Sequence, residues 1–160
     1  MGHDLELEDT DFVLSFSAAD GRVSGTFQAD SLRVAGVVAS DGVEAVEVSP
    51  ADKMTIERHI RDDVLCSREF PTIAFLAEGL RFDAGAEVVA GKLELCGARR
   101  DVAVRTRLAD GRWIAQATVH QPDFGMVPFR TMLGGLRVHV DVEVEITVPA
   151  ERLSDIGAPS

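Results

Sequence analysis

The sequence predicts an all-β protein, an antiparallel sandwich or barrel of about eight strands with one amphipathic helix. Three observations lead to this prediction. A long segment near the C-terminus alternates strictly between apolar and polar residues. Shorter alternating segments are separated by turn sequences such as Asp20-Gly21 and Asp110-Gly111. One segment, which starts at Ser49, has apolar residues at helical spacing instead.

The long alternating segment covers residues 136–148 and is the clearest strand in the chain. Every second residue is a branched apolar one, and the residues between are polar. Because successive side chains of a strand point to opposite faces, one face of this strand is apolar along its whole length. The strand would span roughly 40 Å, which is long for a flat sheet and natural for a strand that wraps around a barrel.

The other strands follow at hairpin-like spacing. Asp20-Gly21 predicts a two-residue hairpin between the first two strands, and Asp110-Gly111 predicts another hairpin later in the chain. Gly79 is expected to bend or bulge the strand that contains it. The predicted strands cover residues 11–18, 22–29, 31–39, 43–48, 72–82, 88–95, 101–108 and 112–120.

The predicted helix begins with Ser49 as its N-cap and Pro50 at its first helical position. It is expected to end before Phe70-Pro71, because the residue before a proline avoids the helical region. Its position after the fourth strand is typical of a plug or lid on a barrel. The residues predicted to form its apolar face are Met54, Ile56, Ile60, Val64 and Leu65.

A chain of 160 residues is long enough for one domain with a sizeable core. We assign that domain to residues 1–150 and expect residues 151–160 to be a flexible tail. The net charge of −11 argues against binding to nucleic-acid phosphates or to an anionic membrane, and it is compatible with a neutral apolar ligand. No segment is apolar enough for stable membrane insertion or for a secretory signal, so the sequence predicts a cytoplasmic protein.

The sequence offers little sign of catalysis or metal binding. It contains no Ser-His-Asp elbow, phosphate loop or paired-carboxylate motif. His59, His120 and His139 lack the spacing of metal ligands and are predicted to be solvated. In a reducing compartment Cys66 and Cys96 are predicted to be free thiols. We therefore expect no enzyme, metal or cofactor, although a His or carboxylate pointing into the interior would favour an enzyme.

Five short segments stand out in order over more than half of the chain: Arg61-Asp62-Asp63-Val64-Leu65, Phe70-Pro71-Thr72-Ile73-Ala74-Phe75, Gly91-Lys92-Leu93-Glu94-Leu95-Cys96-Gly97, Asp123-Phe124-Gly125-Met126 and Val142-Glu143-Val144-Glu145-Ile146. They resemble motifs of the YceI-like family, which are lipocalin-like barrels associated with polyisoprenoid lipids. Val64 and Cys96 stand where the family pattern has histidines, and Pro122 stands where it has an arginine.

The resemblance implies an eight-stranded antiparallel lipocalin-like barrel that holds a polyisoprenoid lipid of the quinone or prenol type. Such a barrel is just wide enough to be filled by side chains or to hold one small ligand. The alternation of the strands points the same set of residues inward. The residues expected to line the interior are Phe12, Leu14, Phe16, Val23, Phe27, Ile73, Phe75, Leu93, Leu95, Val102, Val104, Trp113, Val138, Val140 and Val142.

A second group of residues is expected at the mouth of the barrel or at a lipid head group. Phe124 is interpreted either as part of a flexible apolar mouth or as a plug in the core. Arg58 and Arg61 are interpreted either as a solvated helix surface or as partners of a polar head group. The complete group is Arg58, Arg61, Phe124, Phe129 and Met132.

The sequence leaves open whether the barrel is hollow or filled. Small inward residues such as Gly25 and Gly91 either leave space or admit larger neighbours. A hollow barrel predicts non-enzymatic binding or transport of an apolar ligand. A filled barrel predicts a structural or protein-interaction module that pairs through an edge or its mouth, for example as a homodimer.

Overall fold

The computed structural model describes residues 3–17, 19–39, 45–46, 48–81, 85–127 and 140–151. Its strands and its α-helix are β1 (His3–Asp9), β2 (Phe12–Ser17), β3 (Arg22–Gln28), β4 (Leu32–Ala39), β5 (Ala45–Val46), α1 (Pro50–His59), β6 (Thr72–Ala77), β7 (Ala86–Leu95), β8 (Ala98–Ala109), β9 (Arg112–His120) and β10 (Asp141–Pro149). The predicted all-β class with one helix is confirmed.

Seven strands form one antiparallel sheet in the order β10-β9-β8-β7-β6-β3-β2. Neighbours in this sheet are also neighbours in the chain, except at the β3–β6 pair. The other three strands form a small sheet with β4 at its centre, between β1 and β5. β1 is absent from the predicted strands, because it lies in an acidic N-terminal segment with few apolar residues.

The seven-stranded sheet is strongly curled. If it were flat, five strand spacings of about 4.8 Å would separate β2 from β9 by about 24 Å. Phe16 on β2 and Trp113 on β9 are nevertheless in edge contact, with ring centroids 5.9 Å apart. The sheet is therefore a half-barrel, and the side chains on its concave side form the core.

The helix begins where the sequence predicts. The Ser49 side chain accepts a hydrogen bond from the backbone N–H of Asp52 at 3.1 Å, and Pro50 is the first helical residue. Ile56 and Ile60 are buried in the core, but Met54 is 69% exposed, so its predicted place on the apolar face is wrong. Met54 precedes Ile56 by two residues, which is about 200° around a helix.

The helical segment ends before Phe70, as the sequence predicts. A π-helical turn over Ile60–Val64 follows α1, and the N–H of Leu65 donates to the carbonyl of Ile60 at 2.8 Å. Cys66 then takes a left-handed conformation, with φ of 49°, which ends the helix before Phe70. Within the described part of the chain, no helix has the length and apolar character needed to cross a membrane.

Several predicted boundaries in the sheet are wrong, and β7 and β8 begin two and three residues earlier than predicted. β6 ends at Ala77, because Gly79 has φ of 76° and the chain turns there. Ser17 lies opposite Arg22, so the connection between these two strands is longer than the predicted two residues. Residues 82–84, 136–139 and 152–160 lie outside the described residues, and with them part of the longest predicted strand and most of the predicted tail.

Candidate apolar binding site

The concave side of the seven-stranded sheet is called the inner face below. Residues directly opposite one another in an antiparallel sheet point to the same side. Val148 lies opposite Trp113, and Ala115 lies between Ile146 and Thr106. β7 pairs with β8, β6 with β7, β3 with β6 and β2 with β3, so opposite residues of these pairs continue the inner face as far as β2.

One end of the inner face is packed with side chains. The Phe16 ring meets the edge of Trp113 here, and Trp113 is only 3% exposed. Val23 and Ala77 are buried beside them. The interior is therefore filled at the end of the half-barrel where β2 ends and β9 begins.

Aromatic rings also fill the space above two inner-face glycines. A Cβ atom added to Gly91 would lie 2.6 Å from Cε2 of Phe75. A Cβ atom added to Gly25 would lie 2.9 Å from Cε2 of Phe27 and equally close to Cδ2 of Leu14. The sequence left open whether small inward residues leave space or admit larger neighbours. At these two glycines, larger neighbours occupy the space.

Five large apolar side chains on the inner side are exposed. Leu108, opposite Trp113 at the packed end, is 36% exposed. The other four form what we call the apolar strip: Phe12, Val140, Val142 and Val144, with exposed fractions of 47%, 43%, 37% and 41%. Val142 and Val144 lie opposite inner-face residues of β9. The strip belongs to β2 and to β10 with the residue before it, and these are the outermost strands of the curled sheet in the described region. An exposed group of large apolar side chains on a concave surface is a candidate ligand surface.

The fifteen residues predicted to line the interior differ in how exposed their side chains are. Six are buried, five are half-buried, three belong to the apolar strip, and one lies outside the described residues. In that order they are Val23, Leu93, Leu95, Val102, Val104 and Trp113; Leu14, Phe16, Phe27, Ile73 and Phe75; Phe12, Val140 and Val142; and Val138.

A comparison with known protein families identifies the family of this chain. The profile of the YceI-like domain matches residues 6–151, nearly the whole chain. The chain belongs to the YceI-like domain family. The resemblance of the five sequence segments to this family is therefore confirmed. No curated protein matches the chain.

Solved structures share the YceI-like fold at low sequence identity. The Campylobacter jejuni YceI protein aligns with a TM-score of 0.58 and 14% identity, over 89% of this chain and 82% of that chain. Burkholderia cenocepacia BcnA aligns over the same shares with a TM-score of 0.53 and 14% identity. A polyisoprenoid binding domain from Saccharophagus degradans, implicated in plant cell wall breakdown, aligns with a TM-score of 0.51 and 13% identity, over 88% of this chain and 82% of that chain.

Among the residues expected at the mouth of this YceI-like chain, the three that the structure describes lie in different environments. Phe124 is 3% exposed and belongs to the core, which fits its interpretation as a plug. Arg58 is exposed, and Nε of Arg61 lies 3.3 Å from Oδ1 of the neighbouring Asp62. Phe129 and Met132 lie outside the described residues.

Two charged residues of the inner face were missed from the sequence. Arg100 lies opposite Leu93 and is exposed, and Glu87 lies opposite the buried Thr106. Both precede the predicted starts of their strands. Recognition of Cys96-Gly97 as a two-residue turn would have moved the start of β8 to Ala98 and shown Arg100 on this face.

Glu87 bears on the enzyme hypothesis, because it is a carboxylate on the inner face. Its Oε1 accepts a hydrogen bond from the backbone N–H of Arg81 at 2.5 Å, and Oε2 lies 3.5 Å from Nε of the same arginine. Both carboxylate oxygens therefore have a structural partner where β7 begins.

Two histidines, His59 and His120, pair with carboxylates on the surface. Nδ1 of His59 lies 2.8 Å from Oδ2 of Asp63, and Nδ1 of His120 lies 2.5 Å from Oδ1 of Asp141. The hydrogen bond to Asp141 raises the pKa of His120, with a smaller contribution from the charges of Asp141 and Asp123. Among the residues that the structure describes, no three metal-ligating side chains come together.

The structure has two shallow hollows of about 450 and 360 Å³, lined mostly by outer-face residues, with Glu87 and Thr106 of the inner face at the smaller one. Arg107 borders both of them; polar and apolar surface are about equal in the larger hollow, and apolar surface predominates in the smaller one. None of the predicted interior residues lines either hollow. The exposed apolar surface of the inner face is therefore the better candidate for an apolar ligand.

Proposed function

We propose that this chain binds an apolar, isoprenoid-type ligand of the quinone or prenol class against its inner face and performs no chemistry on it. The half-barrel is then part of the eight-stranded lipocalin-like barrel that the family resemblance implies. The observation that carries this proposal is the apolar strip, whose side chains are on the inner side of the sheet and yet remain more than a third exposed.

The packed end of the inner face supports a particular mode of binding. Because Phe16 and Trp113 fill that end, the ligand tail lies along the apolar strip at the other end and does not pass through the whole barrel. Burial of apolar surface contributes about 25 cal/mol per Å². A long prenyl tail therefore supplies enough free energy for micromolar affinity even after the cost of association.

The membership in the YceI-like family supports the ligand class. One structural neighbour is named as a polyisoprenoid binding domain, and its fold is shared over 88% of this chain. An elongated uncharged ligand also suits a protein with a net charge of −11, since it needs no cationic site.

Native mass spectrometry tests the proposal directly. We expect the protein, purified without detergent, to carry an added mass that organic extraction releases as a prenyl lipid, or to take up a prenol or isoprenoid quinone when offered one. Protein that stays at its apo mass with every offered isoprenoid would contradict the proposal.

A matched pair of variants locates the site. Val142→Asp places a carboxylate in the apolar strip and should weaken prenol binding by about tenfold or more, because the ligand would desolvate that charge. Val88→Asp makes the same change at a 68% exposed residue of β7 that lies outside the strip, so it should leave binding unchanged. Equal losses in the two variants would place the ligand elsewhere.

The packed interior favours a second candidate, a filled module that interacts with other proteins. The rings above Gly25 and Gly91 and the Phe16–Trp113 contact are the observations in its favour. This candidate predicts that the apolar strip is covered by a second protein chain. Sedimentation of a homodimer that Val142→Asp dissociates, combined with no uptake of isoprenoids, would support it.

A further inference from the structure

Cys66 and Cys96 lie at the same place in the fold, although 30 positions separate them in the sequence. Cys66 follows the π-helical turn after α1, and Cys96 is the first residue of the turn between β7 and β8. Both are half-buried free thiols, as the sequence predicts.

The sulfur atoms contact consecutive carbonyl groups at the end of the helical segment. The Cys66 thiol donates to the carbonyl of Asp63 at 3.8 Å. The Cys96 thiol reaches the carbonyls of Val64 at 3.7 Å and Leu65 at 3.5 Å. A carbonyl oxygen lies about 3 Å from the next Cα across a trans peptide. Sγ of Cys96 is therefore within roughly 6.5 Å of the Cys66 Cα, so the two cysteines are neighbours in space.

Both cysteines occupy backbone conformations in which other residues are preferred. Cys96-Gly97 forms a two-residue turn with φ of 52° and 76°, nearly the same as the 52° and 74° of Asp110-Gly111. Such turns favour Asn, Asp or Gly at the first position. Cys66 has φ of 49° just after a helix, where Gly or Asn is usual. Local backbone preference therefore does not account for either cysteine.

We propose that Cys66 and Cys96 form a reversible disulfide site that reacts with small-molecule disulfides. The Cys66 thiolate attacks one sulfur of the small disulfide, so that a mixed disulfide forms and one small thiolate leaves. Sγ of Cys96 then attacks the Cys66 sulfur, its proton passes to the departing sulfur, and the second small thiol is released. Two protein thiols are oxidised while one small disulfide is reduced to two thiols.

The order of the two steps follows from the thiol environments. Burial, and then the neighbouring Cys66, raise the pKa of the Cys96 thiol to about 11. A thiol that remains protonated near neutral pH is the poorer attacking group. Cys66 therefore attacks first, and closure by Cys96 becomes faster as the pH rises.

The bond would fasten the helical segment to the curled sheet. Ile56, Ile60 and Leu65 of that segment belong to the same core cluster as Leu95, the last residue of β7. The closed loop would include all of β6 and β7, so the disulfide should raise the Tm by limiting the freedom of the unfolded chain. This inference concerns the thiols alone and stands whether or not the chain binds a lipid.

Equilibration with reduced and oxidised glutathione tests the site. The fraction of protein that has lost two hydrogens is read from the intact mass after acid quench, for the folded chain and for the chain in concentrated urea. If the fold brings the thiols together, the effective concentration of the pair should be at least about tenfold higher in the folded protein. A value for the folded protein equal to or below that in urea would overturn the proposal, as would disulfide-linked dimers in place of the intramolecular product.

The variants Cys66→Asn and Cys96→Asn provide matched controls, because asparagine suits both left-handed positions. Each should fold with an unchanged circular dichroism spectrum and form only a mixed disulfide with glutathione. Loss of two hydrogens in either variant would overturn the assignment. The folded-versus-urea comparison uses the natural chain, so it decides the proposal even where a variant does not fold.

Discussion

Gly91 illustrates how a single residue shapes the inner face. Its missing side chain leaves a space that the Phe75 ring occupies, and a Cβ atom there would also lie 3.3 Å from the carbonyl oxygen of Leu76. Close packing of this kind is sensitive to one added methyl group.

Gly91→Ala should therefore lower the free energy of unfolding by about 1–3 kcal/mol. Gly85→Ala is the matched control, because nothing lies within 4 Å of a Cβ at that residue, and its stability should change little. Urea unfolding of both variants gives the comparison. If Gly91→Ala lowered the free energy of unfolding no more than Gly85→Ala, Phe75 would have free space to move into.

His120 provides a pH dependence at the surface. Its hydrogen bond to Asp141 raises its pKa above the ordinary value of 6.5, so the folded state binds the proton more tightly than the unfolded state. The stabilisation is then complete below the ordinary pKa and is lost as the pH rises through the folded pKa. The stability advantage of the natural chain over His120→Gln should be larger at about pH 5.5 than at about pH 8.5.

An NMR titration of the His120 ring checks the cause of this effect. The midpoint should lie above 6.5 in the natural chain and return toward that value in Asp141→Asn. A midpoint that is the same in both proteins would assign the shift to another group.

At the scale of elements, one side-chain contact ties α1 to the small sheet. Oε1 of Glu57 accepts a hydrogen bond from the backbone N–H of Val34 on β4 at 2.9 Å, and Val34 is buried. Glu57→Ala should cost about 1–3 kcal/mol, because it leaves this N–H without an acceptor. Glu57→Gln keeps an oxygen at the same place and should recover most of the loss in thermal unfolding. Similar losses for Ala and Gln would show that the hydrogen bond matters little.

The elements that the sequence predicts best are those set by local chemistry. The alternation of β9, the Asp110-Gly111 turn and the Ser49 N-cap each depend on neighbouring residues, and each is found in the structure. β1 was missed because its assignment depends on pairing with β4, more than twenty residues away in the chain. The burial of Ile56 but not Met54 likewise depends on where the sheet lies.

The same division applies to the candidate site. Alternation correctly placed residues such as Phe16 and Trp113 on one side of the sheet, and the structure then showed that they touch. No local pattern reports how far a sheet curls, so the sequence could not separate the packed end from the exposed strip. It also missed Arg100, since the side to which a residue near a turn points depends on the turn type.

At the scale of the whole molecule, the Phe16–Trp113 contact depends on the curl of the sheet, because it joins side chains of β2 and β9. Phe16→Ala should cost about 3 kcal/mol and shift the emission of Trp113, the only tryptophan, to longer wavelength as water reaches the ring. Phe12→Ala changes the same residue type on the same strand, but Phe12 is already 47% exposed, so the loss should be clearly smaller. Equal losses of stability in the two variants would contradict the distinction between a packed end at Phe16 and an exposed end at Phe12.

The order of the strands also has a consequence for how the chain folds. From β6 to β9, each strand pairs with the next one in the chain, so these hairpins close short loops and form early. β3 must wait for β6, and the whole helical segment lies between them. During synthesis on the ribosome, the β2–β3 hairpin is therefore made with one edge of β3 unpaired. That edge stays available to other chains until β6 emerges, which exposes the chain to aggregation while about the first half of the protein is made.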